Sequence, residues 1–217
     1  TGSGTEFYTK IAKPKELLIA DIDNIYPTLC YLDNKYPISW IPRDFIRENS
    51  VMAGAASTIH ALVSYGLLPD SNTSVAILAP GNVSQGVFQV LAKFNCKIRM
   101  FYRKTMNEFY ETISDYDIIV NGIEVDDPSM HIINIDNLRR IKKGSLLIDA
   151  AADAGNAIEG TYYTNIGAPL LKLEDLFVYE VNNSPSIMYR TSSKIISQCL
   201  KKWVFSSDFS KYFELIG

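Results

Sequence analysis

A short loop with one glycine is the first segment of the chain whose residues could bind a ligand. It runs Ala79-Pro80-Gly81-Asn82-Val83-Ser84 and joins a compact apolar run, Val75–Ala79, to a segment in which apolar residues recur at helical spacing. The spacing fits the pattern G-x-G-x-x-G, with Ala79 in the first glycine position, Gly81 in the second and Ser84 in the third. In such a loop the glycine lets the backbone approach a pyrophosphate, and the amide groups that start the helix attract the anion.

The loop therefore predicts a dinucleotide-binding site, because it lies where a strand stops and a helix starts. Alanine and serine are small enough for the tight turn and for helix packing, so they weaken the pattern without abolishing it. The alternative is an ordinary strand–turn–helix junction, since degenerate versions of the pattern recur by chance. The residues predicted to contact the cofactor here are Ala79, Gly81, Asn82, Val83 and Ser84.

Two basic residues follow the next predicted strand, Lys97–Phe101, at the place where an NAD site usually carries an acid. The sequence there is Tyr102-Arg103-Lys104. A carboxylate would accept hydrogen bonds from the ribose hydroxyls, whereas a guanidinium beside an ammonium attracts a 2′-phosphate. These three residues therefore favour NADP(H) over NAD(H). The alternative is a solvated pair of surface bases.

Short apolar runs alternate with helical segments through the middle of the chain, and they would position these loops. Such alternation predicts an α/β fold: a Rossmann-type, doubly wound parallel sheet covered by helices on both faces. A capping box at Thr105–Glu108 opens one of the helices. The predicted strands are Val75–Ala79, Lys97–Phe101, Asp117–Asn121 and Ser145–Asp149, and the predicted helices cover 82–94, 105–114 and 136–143.

The flanking segments predict part of a second, substrate-binding α/β domain. A strand is expected over Glu16–Asp23, and 26–40 is expected to form a hairpin or an irregular excursion that turns at Asp33-Asn34-Lys35. A long helix over 49–65 ends at Gly66, residues 177–181 form an edge strand, and 192–205 form a last amphipathic helix. The predicted domains are 1–45 (substrate domain), 46–175 (NADP-binding domain with the interdomain helix 49–65) and 176–217 (a segment returning towards the substrate domain).

The composition is that of a globular protein without a strong electrostatic field. The chain has 217 residues, of which 47% are hydrophobic, and 21 basic against 24 acidic residues give a net charge of −3. We therefore expect neither nucleic acid nor a membrane as a partner, since the apolar runs also fall short of the ~20 residues of a membrane span. The three cysteines Cys30, Cys96 and Cys199 are too far apart for a zinc site or a disulfide framework. We expect a cytoplasmic homo-oligomer with no metal.

Three further segments resemble the alanine dehydrogenase and pyridine nucleotide transhydrogenase family. Ile148–Gly155 (IDAAADAG) is similar to the family's V-D-I-A-x-D-x-G stretch. Asn183–Ser193 (NSPSIMYRTSS) is similar to its N-x-P-x-x-x-P-R-T-S-T, with Tyr189 in place of a proline. Asn49–Gly54 (NSVMAG) is similar to the M-S-E-V-A-G opening of the family's long interdomain helix.

One branch of that family is closer still. Ser39–Ser50, Met100–Met106 and Asn121–Val125 look like the N5-(carboxyethyl)ornithine synthases, and the resemblance runs from residue 1 to about residue 213. It implies an opine-type reductive condensation, in which pyruvate forms an imine with the side-chain amine of ornithine or lysine and NADPH delivers hydride. It also implies an N-terminal half-domain before position 1. We therefore expect the isolated chain to be catalytically weak, because lost substrate positioning can raise a barrier by ~7–11 kcal/mol.

The resemblance and the predicted sheet together assign roles to individual residues. Asp153 follows the fourth strand, where such sheets hold ligands, and is the first choice for a catalytic carboxylate; the alternative is a turn residue before Gly155. Asn183 would orient pyruvate or the nicotinamide carboxamide, or would simply occupy an irregular loop. The remaining cofactor contacts are predicted at Ser50, Asn121, Gly122 and Ile123.

Three other polar side chains carry weaker predictions. Arg190 could bind a carboxylate of a ligand, cap the final helix or pair with an acid of the protein. His60 is expected to be a structural helix residue, and His131 to be solvated. Two other functions stay open: an alanine-type amino-acid dehydrogenase, which would commonly use NAD, and a non-catalytic module that binds NADP.

Overall fold

The computed structural model describes residues 2–22, 26–125, 127 and 129–217. The chain divides into two compact units, one formed by 1–47 with 193–217 and the other by 48–192. The end of the first predicted strand, at Asp23, lies outside the described residues.

The first unit contains a three-stranded antiparallel sheet in the order β1-β2-β3. Its strands are β1 (Ile19–Asp21), β2 (Thr28–Tyr31) and β3 (Asn34–Pro37). Its N-terminal helix α1 (Gly2–Phe7) continues as a π-helical turn over Tyr8–Ala12 and a 3-10 turn over Lys13–Lys15. A small apolar cluster supports the unit and consists of Leu29, Ile38, Ile41, Phe45 and Tyr212.

The hairpin expected after residue 26 is present as β2 and β3, but its turn lies earlier than predicted. Tyr31 pairs with Asn34, so Asn34 and Lys35 already belong to β3, and the turn consists of Leu32 and Asp33. Leu32 takes the left-handed conformation, with φ +51°. The polar residues after the turn were misleading because an exposed strand tolerates Asn and Lys as readily as a turn does.

The second unit is built from alternating strands and helices. None of the helices among the described residues is long and apolar enough to cross a membrane. In chain order its elements are α2 (Arg47–Tyr65), β4 (Ser74–Leu78), α3 (Asn82–Leu91), β5 (Lys97–Phe101), α4 (Met106–Glu111), β6 (Ile118–Asn121), α5 (Ile135–Arg140), β7 (Leu146–Asp149), β8 (Leu170–Leu173), β9 (Leu176–Tyr179) and α6 (Tyr189–Leu200). The unit begins at the second residue of α2 and ends at Ser192, within α6. The chain continues as a π-helical turn over Lys201–Phe205 and helix α7 (Ser210–Glu214), which belong to the first unit.

A six-stranded sheet in the order β5-β4-β6-β7-β9-β8 forms the centre of this unit. The five neighbours from β5 to β9 run parallel, and only β8 is antiparallel, paired with β9. The predicted α/β sheet is therefore confirmed. The strand near 177–181 is not at the edge, because β8 covers it on the outer side. The chain moves from β4 to β5 in one direction and returns to β6 on the other side of β4, which creates a crevice beyond the carboxyl ends of β4 and β6.

Both faces of the sheet are buried at its centre, on β4, β6 and β7. Along β4, Ala76 and Leu78 belong to one apolar cluster, and Val75 and Ile77 belong to another on the opposite face. Every residue of β6 and β7 is buried as well. A strand that is covered on both sides needs apolar residues at successive positions, which explains why these strands were recognisable as continuous apolar runs.

Helices α2 and α3 touch through two glycines. A Cβ atom added to Gly54 would lie 1.9 Å from the carbonyl oxygen of Val83, and one added to Gly86 would lie 1.9 Å from that of Val51. The backbones of the two helices therefore approach too closely for any side chain at either position. This contact sets the first turns of α2 against the first turns of α3.

Substituting Gly86→Ala is expected to destabilise the protein by about 1–3 kcal/mol, because the added methyl group forces the two helices apart. Urea unfolding measures this change. Gly4→Ala is the matched control, since Gly4 is also helical but an added Cβ would meet no atom of the described residues within 4 Å. An equal change in the two variants would show that the close contact has no energetic weight.

Candidate nucleotide-binding and catalytic site

The loop after β4 has the geometry of an anion-binding turn. The backbone N–H of Ala79 donates to the carbonyl oxygen of Phe101 at the end of β5 (2.9 Å), and Gln85 N–H donates to the carbonyl oxygen of Gly81 (3.0 Å). Gly81 is the N-cap of α3, is extended and has no described atom within 4 Å of an added Cβ. Among the described residues, no side chain caps this helix, so its first turn is open to a ligand.

Ala79 takes a conformation that favours glycine. Its φ is +76°, in the left-handed region that costs a residue with a Cβ about 1–2 kcal/mol. The position corresponds to the first glycine of the pattern, so the backbone keeps the turn although the residue type has changed.

The substitution Ala79→Gly should therefore stabilise the protein by roughly 1 kcal/mol. The control is Ala55→Gly in the regular helix α2, where the same change should destabilise by about 1 kcal/mol. Thermal unfolding of both variants tests the opposite signs. A loss of stability in both would mean that the turn does not strain Ala79.

Ser84 and Gly122 fit together at the carboxyl ends of β4 and β6. Ser84 is buried, and its hydroxyl donates to the carbonyl oxygen of Leu78 (3.2 Å), which also accepts a hydrogen bond from Gly122 N–H (3.2 Å). A Cβ on Gly122 would lie 2.1 Å from the Ser84 oxygen. Ser84, at the third position of the pattern, is therefore a packing residue. Glycine is required at position 122 because any side chain there would collide with the Ser84 hydroxyl.

The side chain of Asn121 is used within the protein. It is buried; its amide nitrogen donates to the carbonyl oxygen of Ile123 (2.9 Å) and to Oδ1 of Asp149 (2.9 Å), and its oxygen accepts from Ile123 N–H (3.1 Å). Asn121 therefore fixes the turn after β6 and links it to the end of β7. The predicted cofactor contacts of this turn remain a prediction, and they would involve the backbone rather than the amide of Asn121.

Asp153 lies on the next turn, beyond β7, and is held in place by the backbone. Its N–H donates to Oδ2 of Asp149 (2.9 Å), while its own carboxylate accepts hydrogen bonds from Val125 N–H (2.8 Å) and from the Asn156 amide (2.8 Å). The Asp153 side chain is half-buried. The structure thus joins the turns after β6 and β7 through three side chains, those of Asn121, Asp149 and Asp153.

A second buried acid, which the sequence analysis did not identify, lies beside Asp149. Ile148 of β7 is paired with Tyr179 of β9, so Asp149 and Glu180 follow on neighbouring strands. Asp149 is 1% exposed and Glu180 is completely buried. Burial, with repulsion by Asp149 as the next cause, raises the pKa of Glu180 to about 9. Burial also raises the pKa of Asp149.

The basic residues after β5 are exposed. Arg103 and Lys104 belong to a 3-10 turn (Arg103–Thr105), and Tyr102 before it is 47% exposed. Within the described part of the chain, neither Arg103 nor Lys104 has an acidic partner, whereas Arg99 on the preceding strand β5 pairs with Glu108. Two bases beside the glycine-containing turn are therefore available to an anionic ligand.

The capping box predicted between Thr105 and Glu108 is not formed, because Thr105 bonds with Tyr102 instead. The Thr105 hydroxyl oxygen accepts from Tyr102 N–H (2.9 Å) and so closes the 3-10 turn. It makes no cap of α4, and Glu108 instead pairs with Arg99. The box falls one turn earlier because the chain leaves β5 through a 3-10 turn before α4 begins.

Asn183 and Ser50 belong to two segments that are joined by a hydrogen bond next to Asn183. Asn183 is exposed in a left-handed conformation (φ +57°), and its side chain makes no hydrogen bond with a described residue. The next residue, Ser184, donates its hydroxyl to the carbonyl oxygen of Ala53 on α2 (3.3 Å). This bond fastens the Asn183 loop to α2 one turn from Ser50, which is half-buried.

The remaining predicted side chains have local partners. His60 is hydrogen-bonded to the hydroxyl of buried Tyr179 (Nδ1 to Oη, 3.1 Å), and burial lowers its pKa, as suits a structural residue. His131 is not fully solvated, because it is half-buried and its Nδ1 lies 2.6 Å from the carbonyl oxygen of Asn156. Arg190 is exposed and lies over the ring of Tyr189, 6.0 Å from the centroid. In the described ranges, no cluster of three or more His, Cys, Asp or Glu could hold a metal ion.

Known proteins share both the sequence and the fold. The chain is 49% identical over 216 residues to the N(5)-(carboxyethyl)ornithine synthase of Clostridium botulinum, covering all of this chain and 68% of that protein. It is 42% identical over 215 residues to the enzyme of the same name from Lactococcus lactis subsp. lactis, covering 99% of this chain and 68% of that protein. Among solved structures, an L-alanine dehydrogenase superposes on 98% of this chain and 65% of its own length, with a TM-score of 0.73 at 15% identity.

The family assignment follows from the part of the chain that forms the sheet. Residues 70–213 match the family described as Alanine dehydrogenase/PNT, C-terminal domain. This range begins just before β4 and includes every strand of the six-stranded sheet. The chain therefore belongs to the alanine dehydrogenase/PNT family, whose members are oxidoreductases that depend on pyridine nucleotides.

Proposed function

We propose that the protein is an NADPH-dependent oxidoreductase that reductively condenses pyruvate with the side-chain amine of ornithine or lysine. The observation that carries this proposal is the 49% identity, over essentially the whole chain, to an N(5)-(carboxyethyl)ornithine synthase. A carboxyethyl group on the side-chain nitrogen of ornithine is what results when pyruvate forms an imine with that amine and the imine is reduced.

The residues present fit a phosphorylated dinucleotide. The open first turn of α3, with Gly81 as its cap, suits a pyrophosphate, since amide groups and the helix dipole both favour an anion there. Arg103 and Lys104 suit a 2′-phosphate, because both are exposed and neither is paired with an acid among the described residues. These features support NADP(H). The segment Tyr102-Arg103-Lys104 after β5 also contains no acid that would repel a 2′-phosphate.

The reaction has two parts. The amine attacks the keto carbon of pyruvate and water leaves, which gives an imine that is protonated to an iminium cation. Bound NADPH supplies the hydride that reduces the carbon–nitrogen double bond. The product is the N-(1-carboxyethyl) derivative of the amino acid.

Asp153 is proposed to stabilise the positive charge of the iminium ion. Each of its two oxygens accepts one hydrogen bond, from Val125 N–H and from the Asn156 amide, and each keeps a further lone pair. The carboxylate is therefore fixed in direction but can still face a cation. Such a preorganised charge is worth more at a half-buried position than in water.

Asn183 is proposed to orient pyruvate or the nicotinamide carboxamide. Its amide has no hydrogen-bonding partner among the described residues, and the bond between Ser184 and Ala53 holds its loop against α2. An exposed amide that is held in a left-handed turn can donate and accept at once, which is what a carbonyl or carboxamide ligand requires.

The experiment that tests the function is an assay of the full-length protein with NADPH and pyruvate, to which ornithine, lysine or ammonia is added. We expect NADPH oxidation with ornithine or lysine, and the N-carboxyethyl product by mass spectrometry. Oxidation with ammonia, giving alanine, would favour the alanine-type dehydrogenase that the fold also resembles. NADPH binding with no turnover on any substrate would leave only a binding module.

A further inference from the structure

The pair formed by Asp149 and Glu180 is unusual because two acids share a buried site. They occupy the residues that follow the register pair Ile148–Tyr179 at the carboxyl ends of β7 and β9. Both are excluded from solvent. Two ionised carboxylates would repel each other strongly there, so one of them must hold a proton.

The hydrogen bonds distinguish the two carboxyl groups. Asp149 accepts from the Asn121 amide at Oδ1 and from Asp153 N–H at Oδ2, both at 2.9 Å. Neither oxygen of Glu180 accepts a hydrogen bond from a described donor. Accepting two hydrogen bonds favours the ionised form, and burial without a donor favours the neutral form. The proton therefore belongs on Glu180.

We infer that Glu180 is a positioning residue: as a neutral acid it donates its proton to Asp149, which stays ionised and orients Asn121 and the backbone of Asp153. The turns after β6 and β7 thereby depend on one buried proton. In its effect on NADPH binding, this inference rests on the proposed function. The presence of the proton does not depend on that function, because it follows from the contacts within the second unit.

The surroundings of Glu180 support a neutral acid. The ionisable groups that act on it are Asp149, Asp153 on the turn beyond β7, and Tyr163 in the segment between β7 and β8. The hydroxyl of Thr161 also faces Glu180 and lowers its pKa, but less than burial and Asp149 raise it. The Thr161 hydroxyl donates to the carbonyl oxygen of Ile158 (2.9 Å) and so does not hydrogen-bond to Glu180. The two carboxylates raise the pKa of Glu180 in the same direction as its burial does.

The sign of the pH dependence follows from the raised pKa. The folded state keeps a proton that the unfolded chain loses above the ordinary pKa of 4.5. The stabilising contribution of that proton is complete below this ordinary value, and it is lost as the pH rises towards the folded-state pKa of about 9. Glutamine at this position is neutral at every pH and can donate its amide to Asp149.

The first test is the melting temperature of wild type and Glu180→Gln at about pH 5.5 and about pH 8.5. We expect the wild type to lose roughly 5–15 °C relative to the variant between these values. The matched control is Glu111→Gln, the same change at an exposed carboxylate of α4, which should follow the wild type. Parallel curves for wild type and Glu180→Gln would overturn the inference.

Infrared spectroscopy of the wild type provides a measurement that does not depend on the variant folding. A carbonyl band of a protonated carboxylic acid should persist at neutral pH and disappear as the pH passes about 9. Where Glu180→Gln folds, it should lack the band. A wild-type spectrum without this band at neutral pH would contradict the buried proton.

The positioning role has its own readout, the dissociation constant of NADPH. For the wild type it should rise roughly 5-fold or more between about pH 7 and about pH 9.5, the lower end of coupling between linked sites. For Glu180→Gln it should stay nearly constant after correction with Glu111→Gln. Equal pH profiles together with the infrared band would leave the proton but refute the positioning role. Absence of NADPH binding at any pH would refute the proposed function instead, and the melting and infrared results would still decide whether the proton is present.

Discussion

Asp153→Asn is expected to lower the turnover of the full-length protein by roughly 10²–10³-fold, the effect of losing one preorganised electrostatic interaction, about 2.7–4 kcal/mol. The fold should survive the change. The oxygen of the new amide can accept from Val125 N–H, and the Asn156 amide can turn so that its oxygen accepts from the new NH2 group. What disappears is the negative charge, so the affinity for NADPH should hardly change.

Turnover and melting temperature must be measured on one preparation of this variant. Asp136→Asn serves as the control, because Asp136 is an exposed acid of α5 whose contact with Arg139 is loose (3.8 Å). If Asp153 only shapes the turn before Gly155, the variant would melt at a lower temperature and turn over normally. That result would remove Asp153 from the catalytic site and leave it a structural residue.

The strands at the centre of the sheet were predictable because a strand that is buried on both faces needs apolar residues at successive positions, and such a run is visible in the sequence. The strands β4, β6 and β7 coincide with apolar runs to within one residue. The strand β5 was also predicted with the observed bounds, although Lys97 and Arg99 on it are exposed. The strand β8 was missed because Leu170–Leu173 follows Gly167 and Pro169 and is only partly buried. Because β8 was missed, β9 was predicted to lie at the edge of the sheet. The residues of a strand do not show which other strand pairs with it.

The candidate site could be predicted from the sequence only where one turn carries its own pattern, and cofactor binding there stays a prediction. The loop at Gly81 and the bases at Arg103 are local features, and the sequence alone indicated both. Asp149 and Glu180 are 31 positions apart in the sequence and become neighbours only through the pairing of β7 with β9. The available signal was an acid directly after an apolar strand, at Asp149 and again at Glu180, and it becomes meaningful only when the two strands are known to be neighbours.

Arg103→Ala is expected to weaken NADPH binding by about 1.5–3 kcal/mol, the value of a hydrogen bond to a charged group, and to leave NADH binding almost unchanged. The reason is that the 2′-phosphate is the only difference between the two cofactors, and Arg103 stands exposed at the end of β5 beside the turn that begins at Ala79. Lys104 remains in this variant, so some attraction for the phosphate should persist. Titration of the 217-residue chain with each nucleotide measures both affinities.

Arg99→Ala separates a specific contact from a general loss of positive charge. Arg99 lies on β5, four residues before Arg103, and carries the same charge, but its guanidinium is already paired with Glu108. If Arg103 binds the 2′-phosphate directly, Arg99→Ala should leave the ratio of NADPH to NADH affinity as it is in the wild type. If the two variants instead lower NADPH affinity equally, the preference would come from the summed field of the surface, which falls off with salt over about 10 Å. Equal losses of NADPH and NADH binding in Arg103→Ala would show that the residue serves the turn after β5 and does not select the cofactor.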